Sequence, residues 1–173
     1  MKEFAELLQL VDECLPRRSD GMPDIEHEKS DVVHDLLAHL AAQMIEMNKE
    51  KQTEVKGFLA WLERHVGAAI EDLHNKTKLR EFHDHDLQTL LGVLNRNGAK
   101  LQKPVTRAVE EEIEREFRQS MDKLAPLKMK IAATDRLIDL IVYRLYGLTD
   151  EEAAIVEGAS ETRRKDDGGS LRS

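Results

Sequence analysis

Phe117, Leu124, Ile131, Ile138 and Leu145 fall seven residues apart, with Leu127, Thr134 and Ile141 at the intermediate heptad positions. An apolar seam sustained in this way suits one structure, a long α-helix laid lengthwise against a partner helix. Pro126 lies inside the seam, where its missing N–H and crowding ring are expected to kink the helix or divide it in two. Gly147 stands where such a helix would stop, and Thr149-Asp150-Glu151-Glu152 reads as a capping box opening a short final helix.

Helical spacing continues upstream. Phe4, Leu7, Leu8 and Val11 make a short apolar face running into Pro16, and Gly21 and Pro23 then break a polar loop. Val33, Leu36, Leu37, Leu40, Met44 and Met47 step by three and four, as a core-facing helix does. Polar residues 48–54 read either as a connector or as an exposed turn of the same helix. Phe58, Leu59, Trp61, Leu62, Val66, Ile70 and Leu73 line another amphipathic helix. Residues 74–86 read as an irregular connection, and Leu87, Leu90, Leu91, Val93 and Leu94 restore the helix until Asn95–Gly98. No stretch alternates as a half-buried strand does. The expected fold is all-α, a helical bundle whose long, Pro-kinked, heptad-patterned C-terminal helix packs on antiparallel helices.

These signals set the expected organisation. Residues 1–158 form a single helical accessory domain, with a lead-in helix at 1–16, a loop at 17–29 and helices over 30–73. A basic connector and helix occupy 74–107, and the long helix plus the short capped one occupy 108–158. Residues 159–173, with Arg163-Arg164-Lys165 and Gly168-Gly169, read as a disordered tail.

Several classes are excluded on composition. No apolar run approaches the roughly 18 residues of a membrane span, so no membrane partner is expected. Met1-Lys2-Glu3-Phe4 lacks the apolar region of a secretory signal. Cys14 is alone, so neither a disulfide framework nor a cysteine zinc cage is available, and a cytoplasmic location is expected. The net charge of −8 argues against a protein that coats nucleic acid indiscriminately.

That charge is unevenly spread. Residues 1–73 carry 8 basic and 16 acidic side chains, residues 74–107 carry 7 and 3, and residues 108–173 carry 11 and 15. A basic island of Lys76, Lys78, Arg80, Arg96, Lys100, Lys103 and Arg107 therefore sits between acidic flanks. If its two ends approach a duplex together, these side chains can make phosphate contacts. The competing reading is two solvated helix termini. Phe82 is the one aromatic residue within the island, which argues against a platform for stacking single-stranded bases.

Catalytic constellations are weak. His83-Asp84-His85-Asp86 offers two imidazoles and two carboxylates, and His34 lies near Asp31 and Asp35 with His39 beyond. Neither has the four-residue histidine spacing and neighbouring Glu of a zinc helix, and no metal site is expected. Pro23-Asp24 with Glu54-Val55-Lys56 matches a loose nuclease pattern, but such carboxylates need a rigid sheet to converge on magnesium. Glycine-rich phosphate loops, seryl nucleophile elbows and the Asn-Pro-Pro-aromatic loop of adenine methyltransferases are all absent. The chain is expected to be no enzyme by itself.

The stretch from Ile131 to Glu157, carrying Asp135, Ile138, Asp139, Tyr143, Tyr146, Gly147, Thr149 and Glu152, resembles the closing segment of a known enzyme family. These are the large N6-adenine DNA methyltransferases with a TaqI-like target-recognition domain, often fused to a nuclease as type IIG restriction–modification enzymes. Related phage-defence methylases share the ending. Phe58-Leu-Ala-Trp61-Leu-Glu-Arg64 with Ile70 to Lys78 is similar to a helix and turn found after that recognition domain, and Phe4 to Leu15 to the helix leading out of it.

The resemblance implies a C-terminal helical appendage without catalytic residues. It also implies that S-adenosylmethionine and Mg belong to upstream domains, so no cofactor is expected here. A methyltransferase or recognition-domain polypeptide and duplex DNA are the implied partners. Tyr143 and Tyr146 are expected to bury their rings and anchor the last helices. The alternative is a purely structural coiled-coil-like protein, acting through self-association or partner docking without DNA contact.

Overall fold

The structure, a computed structural model, describes residues 2–148 and 151–156. The capping residues Thr149 and Asp150 and the tail expected from residue 159 lie outside the described residues. Helix α1 spans Lys2–Cys14, α2 Ser30–Val66, α3 Lys76–Arg80, α4 Leu87–Arg96 and α5 Arg107–Leu145. Short 3-10 turns occupy Ile70–Asp72, Phe82–Asp84 and Gly98–Lys100, and residues 151–156 are helical. Among the described residues there is no strand, only an isolated bridge between Arg17 and Pro23. The fold is all-α. No described helix is long and apolar enough to cross a membrane.

The structure decides one open alternative and departs from the sequence pattern at one helix end. Helix α2 is continuous for 37 residues, so the polar stretch 48–54 is helix. Its polar side chains bond back onto their own helix: Asn48 Nδ2 donates to the Met44 carbonyl and Thr53 Oγ1 to that of Lys49, both at 2.9 Å. The apolar face that suggested a helix as far as Leu73 stops being helical at Val66. Gly67 takes a φ of 67°, and the N–H groups of Gly67 and Ala68 both donate to the Glu63 carbonyl. That left-handed residue ends the helix, and a Cβ there would lie 2.7 Å from Gln102.

Helix α5 likewise runs for 39 residues through Pro126 without being divided in two. Proline removes one N–H, but Leu124 and Leu127 on either side are buried, and that packing keeps the flanking turns helical. The helix closes at Gly147, where φ is 70°. Leu148 N–H reaches the Tyr143 carbonyl and Gly147 N–H that of Arg144, the paired bonds of a Schellman end.

The chain divides into two compact units, Gln43–Ala132 and Met1–Ala42 with Ala133–Ser173. In Gln43–Ala132, the second half of α2 and the first half of α5 run antiparallel. His65 meets Glu112 at one end, and Glu54 accepts from Lys123 at 3.0 Å farther along. The core joins Phe58, Leu62 and Val66 to Ile113, Phe117 and Leu124, and draws in Leu79, Phe82, Leu90 and Leu94 from the connecting segments. Phe58, Phe82 and Phe117 meet at its centre, with ring centroids 4.1 to 6.2 Å apart. Each buried phenylalanine contributes about 1.5–3 kcal/mol by area, and ring pairs add about 0.5–1.5 kcal/mol.

The other unit packs Val11 and Cys14 of α1 against Val33 and Leu40 of α2 and against Leu137 and Ile141 of α5. Arg144 Nε donates to Asp12 Oδ1 at 2.7 Å, tying α5 to α1. The heptad seam is therefore real packing: Phe117, Leu124, Leu127, Thr134 and Ile141 are buried, and Ile131, Ile138 and Leu145 are half-buried.

Candidate nucleic-acid interface

The basic island lies within Gln43–Ala132, on the short helices and turns between α2 and α5 and on the first residue of α5. Its first part is set by burial. Ile70 and Leu73 are in the core, so the intervening Glu71 and Asp72 face solvent. Ile70 N–H donates to Glu63 Oε1 at 2.8 Å, which fixes this turn on the end of α2. Asn75 adopts a φ of 59°, a left-handed conformation that asparagine tolerates better than most residues, and the chain turns into α3. Leu79 is fully buried, which sends Lys76, Lys78 and Arg80 to the outside of that short helix.

Both Lys76 and Arg80 reach back to Glu71. Lys76 Nζ lies 3.1 Å from Glu71 Oε2, and Arg80 Nη2 donates to Glu71 Oε1. The Arg80 guanidinium first, and the Lys76 ammonium after it, hold the Glu71 carboxyl below the usual carboxylate range.

Asn97 supplies the second part. The residue is 2 % exposed, and its side chain joins the end of α4 to the turn before α3. Asn97 Oδ1 accepts from His74 N–H at 2.8 Å, and Asn97 Nδ2 donates to the carbonyls of His74 and Val93 at 3.1 and 2.8 Å. Lys100, three residues on, then places its ammonium 2.6 Å from the Asp72 carbonyl. The N–H groups of Gln102 and Lys103 close the segment on the Val66 carbonyl.

Lys76, Arg80 and Lys100, up to 24 residues apart in sequence, thus gather around the Glu71–Asp72 turn. Lys78, Arg96 and Lys103 are exposed and form no ion pair with a described residue. Arg107 is spent differently, with its Nε 3.0 Å from Glu111 on its own helix. The arrangement can hold an anion at the Lys76–Arg80 pair, with the Lys100 ammonium on the carbonyl of the neighbouring Asp72.

In the His83-Asp84-His85-Asp86 run, Asp84 and Asp86 are engaged. Lys128 donates to Asp84 Oδ1 and to the His83 carbonyl, and Asp86 caps α4 by accepting from Thr89 N–H at 2.7 Å. Among the described residues, no group of three or more His, Cys, Asp or Glu side chains converges as a metal site. Asp24 pairs with His27 at 2.9 Å and Glu54 with Lys123, so each acidic residue of the loose nuclease pattern is engaged close by.

In the C-terminal motif, Ile138 packs on the core, whereas Asp135, Asp139 and Glu152 are exposed and Tyr143 is half-buried. Tyr146, expected to bury its ring, is instead 77 % exposed. It falls five residues after the buried Ile141, about 140° farther round the helix, and so points away from the core.

Two residues of this turn cluster carried little signal in the sequence. Glu71 lies five and nine residues from its cations, a spacing that no regular helix brings together. Asn97 resembled an ordinary helix-ending asparagine, and only its burial reveals the clamp.

An all-α scaffold with one cationic rim is the class that fold and site define. The chain belongs to the family described as a domain of unknown function (DUF8810), which matches residues 30–142. The match begins on the first residue of α2 and ends within the last turn of α5. No curated protein and no solved structure matches the chain.

Proposed function

We propose that this protein is a non-catalytic helical accessory module of a DNA restriction–modification system, working beside an adenine-N6 methyltransferase or its recognition domain. It supports target recognition by packing and touches the DNA backbone through the rim of Lys76, Lys78, Arg80, Arg96, Lys100 and Lys103. The observation that carries the DNA contact is the Asn97 clamp, beside which Lys100 reaches the same Glu71–Asp72 turn as Lys76 and Arg80. The likeness of residues 131–157 to the closing segment of such methyltransferases supports the assignment to that system.

Chemistry of methyl transfer or cleavage, with S-adenosylmethionine and Mg, belongs in this reading to the partner. The protein alone binds duplex DNA weakly and with steep salt dependence, because each phosphate contact releases counterions. Reversing the charge of Lys76, Lys78, Lys100 and Lys103 together abolishes binding at low salt. Unchanged binding would remove the rim from the interface.

A second reading, docking to a protein partner or to another copy without DNA, draws on exposed apolar side chains. Tyr146, Met22 and Ile25 are each more than half exposed within the same unit. Sedimentation separates the two readings: a stable dimer indifferent to DNA favours the second.

A further inference from the structure

The cationic rim contains its own anion. Lys76 and Arg80 converge on the two oxygens of the Glu71 carboxylate, one cation on each. A phosphodiester offers the same geometry, two unesterified oxygens on one centre carrying one negative charge. All three side chains lie on the solvent side, with exposures of 43 % for Lys76, 47 % for Arg80 and 58 % for Glu71, so an external phosphate can reach the pair. The turn holding Glu71 is fixed by the burial of Ile70 and Leu73 and by the bond from Ile70 N–H to Glu63, while the carboxylate itself sits on a flexible exposed stem.

We propose that Glu71 is a built-in competitor for the phosphate site formed by Lys76 and Arg80, and that a DNA phosphate binds there by displacing its carboxylate. This rests on the DNA-contact reading above and adds a regulating residue to it. Exposed ion pairs are weak, so the displacement is readily reversible. Glu71 sets the threshold: a lone phosphate must outcompete an anion already tethered in place. A duplex that simultaneously meets Lys78, Arg96, Lys100 and Lys103 gains from all its contacts together. The rim would thereby discriminate against small phosphate-bearing molecules and favour a continuous backbone.

The test uses the full chain with a fluorescent mixed-sequence duplex. Binding is followed by anisotropy across a salt series starting near 50 mM, the range in which counterion effects are large. Glu71→Gln is expected to tighten binding by roughly 3- to 10-fold and to steepen the dependence of log K on log salt by about 1 to 2, as freed cations gain phosphates. Glu81→Gln, an equal change of charge on a nearby exposed residue, is expected to leave affinity within about 2-fold of the parent, since it releases no cation. The combination E71Q/K76Q/R80Q is expected to fall to parental affinity or below. Glu71→Ser repeats the release with a different side chain, and melting curves verify that each variant is folded.

If E71Q and E71S bind like the parent, or if E81Q gains as much as E71Q, Glu71 is no competitor, although salt-sensitive binding by the parent leaves the DNA-contact reading standing. If neither the parent nor the Glu71 variants bind duplex at low salt, both inferences fall.

Discussion

Gln43–Ala132 and the unit formed by Met1–Ala42 with Ala133–Ser173 draw on the same two long helices but build different interiors. The first closes on three phenylalanines, and that core holds a chain of short turns between α2 and α5, buried through Ile70, Leu73, Leu79 and Phe82. The second has a buried core of Val11, Cys14, Val33, Leu40, Leu137 and Ile141, with Phe4 only partly buried beside it. It also leaves Tyr146, Met22 and Ile25 at the surface. In Gln43–Ala132 the irregular backbone between α2 and α5 packs on large rings that supply many contacts at once, and there the cationic rim is displayed. Exposed turns need that kind of rigid support, because their own backbone bonds are few.

The strongest way to break this contrast is to remove the central ring. Phe82→Ala is expected to cost about 3–5 kcal/mol, the usual range for a buried phenylalanine, and to expose the amides of residues 70–100 to hydrogen exchange. Ile141→Ala in the other unit is expected to cost about 2–4 kcal/mol. Urea denaturation ranks the two, and a cheaper F82A would show that the rings are not what supports the irregular segment.

Asn97→Ala comes next. It leaves the buried end of α4 without its bonds to His74 and is expected to cost about 2–3 kcal/mol. It should also weaken duplex binding, since Lys100 would no longer be carried to the Asp72 turn. Full retention of both stability and binding would overturn the clamp.

A smaller effect of opposite sign is expected within the same unit. Ser120 is 2 % exposed, and its Oγ has no hydrogen-bond partner among the described residues. Ser120→Ala removes that unsatisfied hydroxyl and should stabilise the protein by about 1 kcal/mol, visible as a raised melting temperature.

The smallest effect is a pH dependence. Burial above all lowers the His83 pKa; Asp84 opposes this, while Lys51 and Lys128 act with burial. The unfolded chain therefore takes up a proton first as pH falls through about 6.5. The stability that neutral His83 contributes is present above that value and is lost as pH falls toward the lower folded-state pKa. Melting temperatures between pH 7 and 5 (about the range of histidine titration) should decline less in His83→Asn than in the parent. Parallel declines would remove His83 as the cause.

Much of this was legible from local pattern. The step of three and four over Val33–Met47 and the seven-residue spacing from Phe117 to Leu145 specify helices, because each buried side chain recurs at the helix period. Gly147 marks the end of α5 for an equally local reason: it alone there accepts a positive φ without strain. The seven cations of the island were also visible as a charge imbalance. The polar residues 48–54 were not decisive, since their bonds back to the helix leave no apolar trace. Tyr146 misled because its position in a tyrosine-rich motif suggested anchoring, whereas its angle from Ile141 turns it to solvent.

By itself, the sequence determined that the chain is helical, where its long apolar seam lies and which segment is basic. These follow from side-chain period and charge, properties carried by neighbours in the chain. Only the tertiary structure decided that Pro126 does not divide α5, because burial of Leu124 and Leu127 outweighs one lost hydrogen bond. It likewise decided which cations share a site. Asn97 joins residues 23 apart, and Glu71 gathers Lys76 and Arg80 across the bend at Asn75, relations set by packing and by no helical period.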